Sequence, residues 1–361
     1  MAALSLIHGG DIYSPHPVPE GERLLDFSAN LNPLGMPEEI RQALCAHVGE
    51  YAAYPDPLCR SLRQALAEHH RLCPEWFLCG NGAADLIFRL AFGTRPKRAL
   101  IPAPTFAEYA QALTAAGCET IRYVLSEQQD FLLDERFLKA VQPGIDLVFV
   151  CNPNNPTGLI TQRGLLERLL ERCEQVGARL CVDECFLDFL PEEPLLTVLP
   201  LLEKHPNLLV LRAFTKLYAM AGIRLGYGVC SDPQLLSAMA RTGQPWSVST
   251  VASVCGIAAL GCREHVRRTL KAVPENRAYL KEQLERLGLR VLPGQANYLC
   301  FYTTDTKLGE KLEQQGVLIR DCRNYPGLCP GWFRIAVRPM EENQRLIVLL
   351  HRLLSSGEES R

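Results

Sequence analysis

Residues 212–228, RAFTKLYAMAGIRLGYG, decide how the rest of this 361-residue chain is read. An apolar run at 208–211 leads into Thr215 and Lys216, and Arg224 follows eight residues after the lysine, between Gly222 and Gly226. A lysine amine can condense with an aldehyde, and a guanidinium beside a hydroxyl can hold a phosphate. Alone, Lys216 reads as a solvated residue capping a strand and Arg224 as one end of a surface ion pair.

Two upstream segments change that. Residues 147–151 (LVFVC) are a short apolar run opening into NPNNPTG at 152–158, and a second run at 179–182 ends at Asp183 and Glu184. Three strand-like runs therefore end in polar residues, in the order Asn155, Asp183, Lys216. Helical patterns at 162–176 and 195–205 separate them, so strands alternate with helices and imply a largely parallel α/β sheet. Open sheets of this kind bind ligands beyond the carboxyl ends of their strands, where all three residues would sit. A buried aspartate there can countercharge a protonated pyridine nitrogen, an asparagine amide can donate to a phenolic oxygen, and the lysine can take an aldehyde. Pyridoxal 5'-phosphate (PLP) carries all of these groups.

The ordered set Asn155, Asp183, Lys216 resembles that of the fold-type I PLP enzymes, the aspartate aminotransferase superfamily. The resemblance implies an α/β fold: a large domain with a mainly parallel central sheet flanked by helices, plus a smaller C-terminal α/β domain. On the sequence, residues 1–35 form an N-terminal arm and part of the small domain, 36–250 the large PLP-binding domain and 251–361 the small domain. Further cofactor contacts follow. The segment FLCGNGAAD at 77–85 runs through two glycines into a helix, whose N-terminus suits a phosphate dianion, so Gly82 and Ala83 form the cradle with Thr215 and Arg224. Phe106 occupies the place of the aromatic that stacks on the pyridine ring, with Tyr109 as the fallback. Phe186 stands where most of the superfamily has a tyrosine that bonds the phenolic oxygen, which leaves Asn155 as the main donor to that atom. Tyr54, in YAAYPDP at 51–57, matches a segment that reaches the cofactor phosphate of the other subunit and implies a homodimer with shared active sites.

Arg334, in WFRIA at 332–336, matches the superfamily arginine that grips a substrate α-carboxylate, a bidentate task for which lysine is a poor substitute. Four stretches are more particular: HGG at 8–10, LDFSANLNPLG at 25–35, PWSV at 245–248 and LIRDCRNYPG at 318–327. Together with Phe186 they resemble the threonine-phosphate decarboxylases of cobalamin biosynthesis over nearly the whole chain, with the histidinol-phosphate aminotransferases as the alternative. Both families take an amino compound bearing a phosphate ester, so His8, Asn32 and Arg320 are expected to form the substrate-phosphate cluster. The two families share their catalytic residues, and the decarboxylase expectation rests on the family motifs.

Composition sets the remaining bounds. The chain is 47% hydrophobic and 22% charged, with a formal net charge of -2. It has no basic footprint for nucleic acid or an anionic membrane. Neither a signal peptide nor a membrane-length apolar run is visible, which points to the cytoplasm. Fifteen cysteines without Cys-x-x-Cys or zinc-like Cys/His spacing predict small buried hydrophobes and no metal site.

Overall fold

The computed structural model describes residues 8–355. Strands Leu147–Cys151, Arg179–Asp183 and Leu208–Ala213 are apolar along most of their length because both faces of each are covered. Val148, Val150, Leu180, Val182, Leu208 and Val210 enter one apolar layer, while Phe149, Cys181, Leu209 and Leu211 enter the layer on the other face. These strands are the middle of a seven-stranded sheet. Its order is Phe77–Gly80, Gly226–Val229, Leu208–Ala213, Arg179–Asp183, Leu147–Cys151, Arg98–Ala103, Glu119–Val124.

All pairings are parallel except the two made by Gly226–Val229. That strand returns from Leu208–Ala213 through the short segment holding Lys216 and Arg224. The only helix there, Phe214–Leu217, has four residues, so no crossover is made and the chain reverses. The parallel register aligns Cys151 with Asp183 and Asp183 with Leu211. Beyond that edge, Asn152 N–H bonds the Asp183 carbonyl and Glu184 N–H the Leu211 carbonyl. The polar residues that follow the three strands are thereby gathered at one sheet edge.

Residues Glu135–Ala140 form a 3-10 segment, capped by Asp134, whose side chain accepts from Arg136 N–H. The helix expected at 195–205 is broken into Glu193–Leu196 and the 3-10 turn Leu199–Leu201. Pro200 lacks the N–H that a continuing helix would donate to Leu196, and its ring crowds that carbonyl.

A second sheet is antiparallel, in the order Arg320–Asp321, Trp332–Ala336, Tyr298–Tyr302, Arg290–Val291. The extended stretch at 317–321 is split at Ile319. Val317–Leu318 pairs in parallel with Leu25–Asp26 from the N-terminal arm, and Arg320–Asp321 turns to pair with Trp332–Ala336. Leu25 and Phe27 join Leu284, Phe301, Phe333 and Leu346 in the apolar core of this part of the chain. Helices Arg263–Arg286 and Met340–Ser355 contribute to the same core. No helix among the described residues is long and apolar enough to cross a membrane.

Candidate active site

A cavity of about 230 Å³ opens where the two sheets meet, and Asn155, Asp183 and Lys216 all line it. Lys216 is carried by the short helix Phe214–Leu217, with Nζ 5.6 Å from the centre of the Phe186 ring. Burial lowers its pKa, and the Arg334 guanidinium lowers it further, so the amine is biased toward its neutral, nucleophilic form. The strand before it is tied down by Arg212, which is buried and bonds Glu184, Asp188, Glu193 and Thr197. Such a buried ionic group contributes little net stability, but with every partner in place it holds the ends of two neighbouring strands in one geometry.

Asp183 ends its strand fully enclosed. Its Oδ2 accepts from the Tyr109 hydroxyl at 2.7 Å and its Oδ1 from Cys185 N–H at 3.0 Å. Burial raises its pKa above the ordinary carboxylate value, and these hydrogen bonds oppose the rise. Asn155 is buried beside it, and its Oδ1 accepts from Arg334 Nη1, which leaves Nδ2 as its donor side. The neighbouring Cys181 and Cys185 are buried thiols whose pKa values burial pushes well up, as suits inert packing residues.

At the other end of the cavity the 13-residue helix Gly82–Thr94 begins, and N–H groups of its first turn have no helical acceptor. Gly82 has φ +78°, and a Cβ there would stand 2.6 Å from Arg224 Nη2; a Cβ on Gly226 would stand 2.6 Å from Ala83 N. Only glycine at both positions lets the helix start, the returning strand and the guanidinium close on one point. Thr215, Ala83 and Arg224 line the cavity there, and Phe106 faces it from the end of helix Ala107–Ala115. An amine, a buried carboxylate without a cation, an amide donor and a cationic helix-end cradle fit PLP group by group.

On the side of the second sheet, Arg334 is buried, with Nη2 bonded to the Ser28 carbonyl at 2.7 Å and Nε without a hydrogen-bond partner among the described residues. Arg320 lies over the Tyr325 ring at 5.3 Å and donates Nη2 to Asn324 Oδ1 at 2.8 Å. His8, half-exposed at the mouth, meets Glu108 Oε1 at 2.7 Å. All of these except Asn324 line the cavity.

Asn32 does not, and its expected place in the phosphate cluster is corrected. Its Nδ2 is directed to the Leu217 carbonyl at 2.6 Å, Thr269 Oγ1 at 2.7 Å and His265 Nε2 at 3.0 Å, and its Oδ1 accepts from Leu34 N–H. Asn32 ties the arm to the Lys216 loop. Asn30 lines the cavity instead, with a buried Oδ1 lacking a hydrogen-bond partner among the described residues. Nothing in the sequence separates the two asparagines. A tight turn, Leu31 N–H to the Ala29 carbonyl at 3.0 Å, sends them different ways.

Tyr54 is outside the cavity of its own chain. It is 82% exposed and lies against Trp246, ring centres 4.7 Å apart. Residues missed from the sequence are Ser28, Glu108 and Tyr325, together with the Tyr109 hydroxyl. No local pattern marks them. Among the described residues no group of three or more His, Cys, Asp or Glu could hold a metal ion.

This fold and this donor set define a fold-type I PLP enzyme. Residues 22–350 match the model of the family aminotransferase class I and II, and the chain belongs to that family. It is 41% identical over 360 residues to the threonine-phosphate decarboxylase of Salmonella typhimurium, covering 98% of this chain and 98% of that protein. Among solved structures it resembles the histidinol-phosphate aminotransferase from Clostridium acetobutylicum, with TM-score 0.87 and 25% identity over 92% of this chain and 100% of the other. It also resembles the L-threonine-O-3-phosphate decarboxylase from Porphyromonas gingivalis, with TM-score 0.81 and 25% identity over 92% of this chain and 100% of the other.

Proposed function

We propose that this chain binds PLP and decarboxylates L-threonine O-3-phosphate to (R)-1-aminopropan-2-ol O-phosphate and CO2, a step of cobalamin biosynthesis carried out in the cytoplasm. One observation carries the substrate class. Arg320 and Arg334 are direct cross-strand partners and both line the cavity. Like charges placed opposite each other on a sheet repel. A substrate with two anionic groups, a carboxylate and a phosphate ester, turns that repulsion into binding. The similarity to threonine-phosphate decarboxylase over 98% of both chains supports the choice within that class.

When bound, PLP supplies the sink for electrons released at the substrate's Cα. Asp183 would keep the pyridine nitrogen protonated, Asn155 Nδ2 would donate to the phenolic oxygen, Phe106 would cover the ring, and Gly82, Ala83, Thr215 and Arg224 would hold the phosphate. Lys216 supplies the attaching amine and can carry a proton to Cα. Arg334 grips the substrate carboxylate. Arg320 and His8 would hold the ester phosphate, and that binding energy would be used to orient the substrate carboxylate for loss as CO2.

The purified protein should therefore release CO2 from phosphothreonine, and free threonine should lose turnover as well as affinity. Arg320→Ala should lower kcat/KM for phosphothreonine by about 100-fold, near 3 kcal/mol, with a much smaller effect on any reaction of free threonine. Glutamate-dependent transamination of histidinol phosphate, without CO2 from phosphothreonine, would assign the chain to the aminotransferases instead.

The exposed Tyr54 fits a homodimer in which it reaches the partner's cofactor phosphate. Mixing Lys216→Ala with Tyr54→Phe protein under subunit exchange then leaves one intact site per heterodimer, and activity should recover toward a quarter of wild type at equal mixing, as a rough count of half heterodimers with one good site of two. Proven exchange with no recovery, both single variants being impaired, would place Tyr54 in its own subunit's site.

A further inference from the structure

Tyr109 lies in the first turn of helix Ala107–Ala115, three residues after Phe106, and none of it reaches solvent. Its ring lies flat on Phe149, centres 4.6 Å apart and planes at 11°. A phenylalanine would pack there equally well. The hydroxyl must instead lose its hydration, which is costly unless a partner replaces the water, and the partner it finds is Asp183 Oδ2 at 2.7 Å. With Cys185 N–H on Oδ1 at 3.0 Å, a protein donor meets each oxygen of Asp183. A carboxylate has about four acceptor positions, which leaves room for a further donor.

We propose that Tyr109 is a positioning residue for Asp183, fixing the rotation of the carboxylate and holding it as an anion inside the sheet, so that the pyridine nitrogen of the cofactor meets a preformed negative charge. The role rests on Asp183 pairing with that nitrogen, as given above. It divides the labour of one helix turn between two aromatics. Phe106 faces the cavity, and Tyr109, edge-on to it at 5.6 Å and 77°, reaches beneath the floor to the carboxylate.

The electrostatics agree with the geometry. Burial raises the Asp183 pKa, and the Cys185 and Tyr109 hydrogen bonds oppose it. Burial also pushes the Tyr109 phenol well above its ordinary value, so it remains a neutral donor throughout the working range. The other titratable groups around Asp183 are Glu108 from the same helix, Cys151 from the neighbouring strand, Cys181 and Cys185 from its own segment and Tyr298 from the second sheet. The three thiols and the Tyr298 phenol are all pushed upward and stay neutral.

Tyr109→Phe tests the role in three ways. The first is thermal unfolding of the cofactor-free protein from pH 4 to 8. A carboxyl whose folded pKa is raised binds more protons folded than unfolded, so its contribution to stability falls as pH rises from the ordinary carboxyl value through the raised one. Removing the hydroxyl raises that pKa further. The Tm deficit of Tyr109→Phe should therefore be small at pH 4 and grow toward neutrality, and in an Asp183→Asn background it should lose its pH dependence, which assigns that dependence to Asp183. The second is PLP affinity by fluorescence titration at pH 8, where Kd should rise about tenfold, the equivalent of one pKa unit at the carboxylate. The third is turnover, where kcat should fall with KM for phosphothreonine little changed. A Tm deficit equal at every pH, with PLP affinity unaltered, would reduce Tyr109 to a packing residue. If Asp183→Asn itself keeps PLP affinity and turnover, the pairing of Asp183 with the ring fails, and the role of Tyr109 fails with it.

Discussion

Lys216→Ala protein is expected to bind PLP only reversibly and to decarboxylate phosphothreonine at least about 1,000-fold more slowly than wild type, a loss of about 4 kcal/mol or more. The phosphate cradle at Gly82, Ala83 and Arg224 is untouched by the change, so cofactor should still be retained on the column and lost on dialysis. Borohydride treatment of wild type should fix the cofactor on the peptide containing Lys216; label on another lysine would sink the assignment. The environment of this amine has a second measurable consequence. Burial, then Arg334, depress its pKa. A base whose folded pKa is depressed binds fewer protons folded than unfolded, so it costs stability below the folded value and this cost disappears as pH rises to the ordinary lysine range. Cofactor-free Lys216→Met should then unfold at a higher Tm than wild type near pH 6, with the gap closing toward about pH 10.

Arg334 should be next in effect. Its two terminal nitrogens are committed to Asn155 Oδ1 and the Ser28 carbonyl, which orients the guanidinium from both sides while Nε has no hydrogen-bond partner among the described residues. Arg334→Ala removes the carboxylate clamp and strands two buried acceptors. We expect kcat/KM for phosphothreonine to fall by about 3 to 5 kcal/mol, and the cofactor-free protein to lose about 1 to 3 kcal/mol of stability. Arg334→Lys should recover little, since one ammonium cannot meet both acceptors and a carboxylate in a planar fork. The reaction product separates this role from that of Arg320. Aminopropanol phosphate has no carboxylate, so its inhibition constant should hardly change in Arg334→Ala and should rise steeply in Arg320→Ala. Equal weakening of product and substrate by Arg334→Ala would remove Arg334 from the carboxylate.

Much of this site was legible before any coordinates. Apolar runs of four to six residues, each ending in Asn, Asp or Lys and separated by helical periodicity, can hardly be read except as buried parallel strands with polar ends. Short-range chemistry was equally open. The glycines at 80 and 82, ahead of an apolar helix, announce an anion-binding turn, and Gly82 does bring the helix start against the Arg224 guanidinium. Where the sequence went astray, the decisive interaction was local but hidden or remote in number. Pro200 broke a helix that apolar spacing favoured. A turn at 29–31 exchanged Asn30 for Asn32 in the cavity.

Side-chain type and spacing along the chain thus determined the sheet and the Asn155, Asp183 and Lys216 that line the cavity beyond its strands, because each depends on the residue itself and on the period of its own element. Tertiary structure alone decided three further things. It set Arg320 opposite Arg334 through an antiparallel register. It placed Asn32 in the scaffold by giving its amide three partners, two of them on residues more than two hundred positions away. It brought the Tyr109 hydroxyl to Asp183 across 74 positions. Each of these contacts is made by groups that share no period and no local turn, and only closing the fold brings them within hydrogen-bonding or cross-strand reach.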